Sequence, residues 1–168
     1  MLIHALLQNR WLRGLVIFCS ACMVLVGVSF PVEAAVDPYV RQYLQVSDPV
    51  PVLMNDRGET RLFSAENMIA GKKLFELHCA SCHVGGSTLP NPEVSLSLET
   101  LRHATPPRDT VEQLVKFMRQ PMSYDGSEEN LLCREVPDSW LSEAEVENLS
   151  GFILRAADKA KGWGTTNF

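Results

Sequence analysis

Apolar and polar positions follow different rhythms along this chain. Residues 14–30, GLVIFCSACMVLVGVSF, are uncharged and mostly apolar. Residues 36–49 show little periodicity. VPVLM and ETRLF then flank NDRG, and two β-rich runs around such a turn predict a small hairpin. Beyond it the spacing becomes helical. Met68, Ile69, Leu74, Phe75 and Leu77 predict a helix that begins at Ala65, is capped by Ser64, and runs up to Cys79. Gly85 and Gly86 release the chain from it. Ser87 to Glu93, with Pro90 and Pro92, reads as a loop. LSLETLRHA predicts a short helix, and TPPRD ends it and starts the next. There Asp109 is the expected cap, with Glu112 three residues on, and Val111, Leu114, Val115 and Met118 share one face. Pro121 ends that helix. MSYDGSEENLLCREVPDSW reads as a long polar loop. Ser142 and Glu145 form a capping box for a last helix whose apolar face is Val146, Leu149, Phe152 and Ile153, closed by Gly162. The fold class is mainly α, with a short N-terminal β-hairpin and about four helices on long loops. Such a chain has little core for its size, and a large apolar cofactor would supply one.

The first apolar run is of another kind. Arg10 and Arg13 precede it and PVEAA follows it, the layout of a secretory signal cut after Ala34 or Ala35. The alternative is a retained anchor, for which the run is slightly short of the roughly 20 residues of a bilayer span. Cys22 within CSAC lies too far inside the run for a lipoprotein box. The expected organisation is residues 1–34 as signal and residues 35–168 as one domain. The 168-residue chain carries a net charge of −5. Without Arg10, Arg13 and Glu33 the mature part keeps 13 basic and 19 acidic residues. That balance argues against nucleic acid as a partner. No nucleotide-type glycine loop appears. Of five cysteines, Cys79, Cys82 and Cys133 survive cleavage.

Two of them stand in CASCH. Two thiols two residues apart on one turn can each add to a vinyl group on one porphyrin edge, and the next residue then projects under the iron. Cys79 and Cys82 are therefore the expected covalent haem attachments and His83 the proximal ligand of a single haem c. A Cys₃His zinc site with Cys133 competes, but ligands so close in sequence would crowd one zinc. A thioredoxin-like redox pair also competes, but it belongs at a helix N-terminus, where the dipole lowers the thiol pKa. Here the pair follows the C-terminal end of a helix.

CASCHVGG, the NP of Asn91 and Pro92, LETLRHATPPRDTVEQLV, FMRQPMSYDG and a late KGWG carry a more specific likeness. Over residues 50–163 the chain resembles the photosystem II cytochrome c-550 family, extrinsic lumenal cytochromes of cyanobacteria and some algae. The resemblance implies a class I cytochrome c fold with an added hairpin. It also implies a tight crossing of first and last helices, for which Gly71 and Phe75 would face Gly151 and Phe152. The family places a second histidine on the iron ten residues after the Tyr of YDG. Here that count from Tyr124 reaches Arg134, which cannot deprotonate to bind iron. No histidine follows His103.

Cys133 is the first candidate for the sixth position. It is the one mature cysteine outside the motif, it neighbours the family's ligand position, and thiolate is an established haem ligand. The alternative is a buried inert cysteine. Met122 is the second candidate, 39 residues after His83, since Met/His pairs occur in cytochromes c. Met118 reads as core, His103 as a solvent or propionate contact, and His78 as pointing away. The expected function is a low-potential, non-enzymatic electron carrier of the thylakoid lumen with His/Cys ligation. Its expected partner is a redox protein or the lumenal surface of photosystem II. Alternatives are a structural extrinsic subunit of photosystem II and a haem-based redox or small-ligand sensor. The tail TTNF departs from the family's aromatic ending.

Overall fold

The structure is a computed structural model that describes residues 37–89 and 93–165. The segment expected to be a signal, with Cys19 and Cys22, lies outside the described residues, as do Pro90, Asn91 and Pro92. Chain order is α1 (Pro38–Gln42), β1 (Val50–Leu53), β2 (Thr60–Phe63), α2 (Ala65–His78), α3 (Leu98–His103), α4 (Val111–Arg119) and α5 (Glu143–Lys159), with a 3₁₀ turn at Val84–Gly86. The mainly helical architecture with one hairpin is as the sequence predicts.

The aperiodic lead-in proves to be structured. Asp37 caps α1 by accepting from the N–H groups of Tyr39 and Val40. Val40, Leu44 and Val46 are fully buried. A five-residue helix is too short for a 3.6-residue rhythm to show, which is why no pattern marks it. Arg155 of α5 ties it down by donating to the carbonyls of Leu44 and Gln45.

β1 and β2 pair antiparallel, Val50 with Phe63 and Leu53 with Thr60. The turn between them is organised by Asn55, whose Oδ1 accepts from the N–H groups of Arg57 and Glu59. Val52 and Phe63 face the core, while Leu62 is exposed.

α2 begins as expected, with Ser64 and Asn67 forming a reciprocal capping box. Its buried stripe is Met68, Gly71 and Phe75. Leu77 falls off that stripe and is exposed, because two residues past Phe75 lies on the opposite side of a helix. α4 is capped by Thr110, which accepts from the Gln113 N–H, not by Asp109. The Asp109 carboxylate is drawn instead to Arg102, at 3.1 Å. α5 starts as predicted, with Glu145 accepting from both the N–H and the hydroxyl of Ser142.

α2 crosses α5 at Gly71. A Cβ there would meet the Asn148 carbonyl and would lie 2.7 Å from Phe152 Cβ. The backbones meet where only glycine fits. Phe75 and Phe152 stack beside this point, with ring centroids 5.5 Å apart. Gly151 has a different neighbour from the one expected: it admits the Phe63 ring, 2.5 Å from where a Cβ would sit. It docks the hairpin, not α2.

Replacing Gly71 with Ala is expected to cost about 1–3 kcal/mol through overpacking and to lower Tm by roughly 4–10 °C. Thermal melting against an exposed control, Lys73→Ala, checks this; equal melting temperatures would mean the crossing has room to spare.

Candidate cofactor site

Cys79 closes α2 as its C-cap, with its N–H bonded to the Phe75 carbonyl at 2.8 Å. The chain then turns tightly. The N–H groups of Cys82 and His83 both reach the Cys79 carbonyl, at 3.0 and 2.8 Å. Gly85 and Gly86 follow with φ of +56° and +82°, the left-handed region that favours glycine. At Gly86 a Cβ would lie 2.5 Å from the Trp163 ring. Trp163 in turn donates to the Leu96 carbonyl at 3.0 Å, so the C-terminal segment holds the turn after α2 in place.

A cavity of about 400 Å³ opens beside this turn. Cys82, His83 and Cys133 all line it. Its apolar lining includes Leu96, Leu101 and Ala104 around α3 and Leu114 and Phe117 of α4. Cys82 is exposed and Cys79 half-buried. Burial, with smaller contributions from the Cys133 and Cys82 thiols, pushes the Cys79 thiol up to about 12. Neither motif cysteine is in a disulfide. Among the described residues no three His, Cys, Asp or Glu side chains gather to hold a metal ion, so the Cys₃His reading finds no support.

The placement of Cys133 has a local cause. Asn130 Oδ1 accepts from the N–H groups of Leu132 and Cys133, at 3.0 and 3.1 Å. The segment is pinned at both ends: Asn130 N–H to the Pro121 carbonyl, and Val136 N–H to the Met118 carbonyl. Arg134, at the family's ligand position, stacks its guanidinium 4.9 Å from the Trp140 ring centroid. Trp140 meets His78 edge-on, at 4.9 Å. Arg134 is thus held outside the cavity wall while its neighbour lines it. Burial pushes the Cys133 thiol up, and the charge of Arg108 opposes that shift.

The other candidates lie elsewhere. Met122 is not among the lining residues; it pairs with Glu129 in an isolated β-bridge. Met118 is core, as expected. His103 is exposed, with Nδ1 2.8 Å from the Glu99 carbonyl.

Arg108 is the site residue that sequence reasoning passed over. It is 7% exposed. Its Nη2 donates to the carbonyls of Met122 and Ser123, at 3.1 and 2.5 Å. Its guanidinium carbon lies 4.0 Å from the Phe117 ring centroid. Burial pushes its pKa down, yet a guanidinium stays charged. It lines the cavity and has no carboxylate partner among the described residues. The two carbonyls solvate the guanidinium without neutralising it, and although Glu128 and Glu129 also line the cavity neither pairs with it, so an occupant with anionic groups is favoured. A haem offers an apolar ring for the walls and carboxylates for the cation, so these residues fit one. The available signal was a lone charge within TPPRD, between a proline and a helix cap.

Comparison with known proteins gives one family. The cytochrome c-550 domain profile matches residues 43–168. A cytochrome c-550-like protein of Thermosynechococcus vestitus is 51% identical, over 94% of each chain. Photosystem II extrinsic protein V of Gloeobacter violaceus is 53% identical, over 77% of this chain and 69% of its own. Among solved structures, the PsbV2 cytochrome of Thermosynechococcus elongatus superposes with a TM-score of 0.76 at 59% identity, covering 77% of this chain and 99% of that one.

Two predictions follow from the geometry. Arg108→Leu strands two carbonyls and is expected to cost about 2 kcal/mol or more in urea unfolding; a loss within error of zero would mean the carbonyls find other donors. In the loop 121–130, Asp125 accepts from the Ser123 hydroxyl and from the hydroxyl and N–H of Ser127, which hold its carboxyl down at about 2. Because that pKa is depressed, its stabilising contribution is full above the unfolded value of about 3.9 and disappears as pH falls through about 2. A carboxyl NMR titration of Asp125 with its midpoint near 4 would contradict this.

Proposed function

The chain belongs to the cytochrome c-550 family, and we propose that it serves there as a low-potential electron carrier whose haem is ligated by His83 and Cys133. As a member of that family it carries covalently bound haem c. In this reading Cys79 and Cys82 would hold the haem as thioethers. The haem supplies a one-electron iron couple.

The observation that carries the reading is Cys133 on the wall of the same cavity as Cys82 and His83. Support also comes from Arg134, which the stack on Trp140 keeps away from that cavity, and from Met122, which is not on its wall. A thiolate from Cys133 donates charge to the iron and favours the oxidised state. The potential then lies below that of a Met/His pair. The apolar part of the lining strengthens the electrostatic interactions made against it. Placement on the lumenal side of the thylakoid, against photosystem II, is the second part of the proposal. It is supported by the likeness to the photosystem II extrinsic protein V of Gloeobacter violaceus. Among the described residues no helix is long and apolar enough to cross a membrane. Co-purification with photosystem II particles tests that part.

The ligand is tested by low-temperature EPR of the ferric holoprotein beside Cys133→Ser. The expected spectrum is low-spin with the narrow g spread of thiolate ligation, and the variant loses it. The midpoint potential of the variant is expected to rise. An unchanged spectrum would take Cys133 off the iron and the low potential with it.

A further inference from the structure

An imidazole that binds metal through one nitrogen must do something with the other, and what it does fixes which nitrogen carries the proton. His83 Nδ1 lies 2.9 Å from the Thr88 hydroxyl oxygen. A hydroxyl has one proton. That of Thr88 is committed to the Val94 carbonyl, in a close contact. Toward His83 the hydroxyl can therefore only accept. Nδ1 is then the protonated nitrogen and the donor, a tautomer that the Ser87 backbone facing the ring also favours, and the lone pair is left on Nε2. The opposite tautomer would require two protons on Thr88, one for each neighbour.

Thr88 is not free to drift. The N–H of Leu89, next in sequence, bonds the Cys82 carbonyl at 2.9 Å. The hydroxyl of Ser87, just before, bonds the Thr165 carbonyl at 2.6 Å. On the far side of the relay, the Leu96 N–H bonds the Gly86 carbonyl at 2.7 Å. The hydroxyl is thus held between the imidazole and a backbone acceptor whose own segment is anchored.

We propose that Thr88 is the positioning residue for the proximal ligand: it selects the Nδ1–H tautomer of His83, fixes the ring's orientation, and through Val94 sets how strongly Nε2 donates to iron. The inference rests on His83 being an axial ligand, and it is independent of what occupies the sixth position. An N–H that gives its proton to an acceptor leaves its ring a better electron donor. Removing that acceptor makes His83 a weaker donor and stabilises the reduced iron less poorly, so the potential rises.

The test uses the covalently loaded holoprotein, as wild type, Thr88→Val, Thr88→Ala and Thr88→Ser. Proton NMR of the ferric form follows the hyperfine-shifted ring N–H of the axial histidine and its exchange in D₂O. Spectroelectrochemical titration gives the midpoint potential. In wild type the N–H is expected to exchange slowly. In the Val and Ala variants exchange quickens by about tenfold or more, as for the loss of one buried hydrogen bond, and the potential rises. Ser, which keeps the hydroxyl, restores both. Fast exchange already in wild type overturns the proposal, even should a variant fail to load haem. So does a Val or Ala variant that matches wild type in both readouts, or a Ser variant that behaves like Val. A wild-type spectrum with no hyperfine-shifted, non-exchanging ring C–H or β-CH₂ signals of His83 is a different failure: it removes His83 from the iron, and the ligand reading falls with it.

Discussion

The fold depends on how closely α2 and α5 can approach. Two helices normally pack with axes 8–10 Å apart, kept there by their side chains. At Gly71 there is none, and the carbonyl of Asn148 and the Cβ of Phe152 occupy the space. Around that contact Phe75, Phe152 and Trp163 form an aromatic cluster with centroid separations of 5.2 to 5.8 Å. Trp163 carries the contact onward, since it also covers Gly86 and bonds Leu96. One close crossing therefore aligns the core and braces the turn that bears His83.

The chemistry is carried by the irregular segments on either side of that scaffold. The turn after α2 presents Cys82, His83 and Thr88, and the loop after α4 presents Cys133. Each loop is held by side-chain to backbone bonds, from Asn130 on one and Ser87 on the other. Such bonds replace the ladders that loops lack. Arg108 sits where the loop after α4 begins, bonding the carbonyls of Met122 and Ser123 while its charge borders the cavity. It thus combines two tasks, fixing a loop and setting the local potential.

Most of this was legible wherever a local rule applied. CASCH could be placed at the end of a helix because a 3.6-residue pattern ran up to it. Ser64 and Ser142 were readable as caps, because capping is a contact between near neighbours. The misses were non-local. Asp109 looked like a cap until Arg102 claimed its carboxylate. Gly151 looked like a partner for α2, but a glycine does not announce which side chain it admits. Val40, Leu44 and Val46 are core without a rhythm, since α1 is barely more than one turn long and packs against the distant α2. Thr88 and Arg108 act through partners that only the folded chain assembles. Cys133 stood out by elimination; the cause of its orientation, Asn130 and the Arg134 stack, did not.

The crossing at Gly71 also imposes an order of events. It joins a helix near the middle of the chain to the last one, so closure must await residues 148–152 and bears the entropy of the long loop between. Synthesis runs from the N-terminus, so Cys79, Cys82 and His83 appear well before α5 does. During that interval both thiols stand in an open chain; once α5 docks, Cys79 is half-buried. A ring that bonds these thiols would have its freest access before α5 docks, and once tethered at the turn it would be the surface on which the late helix and the two loops condense.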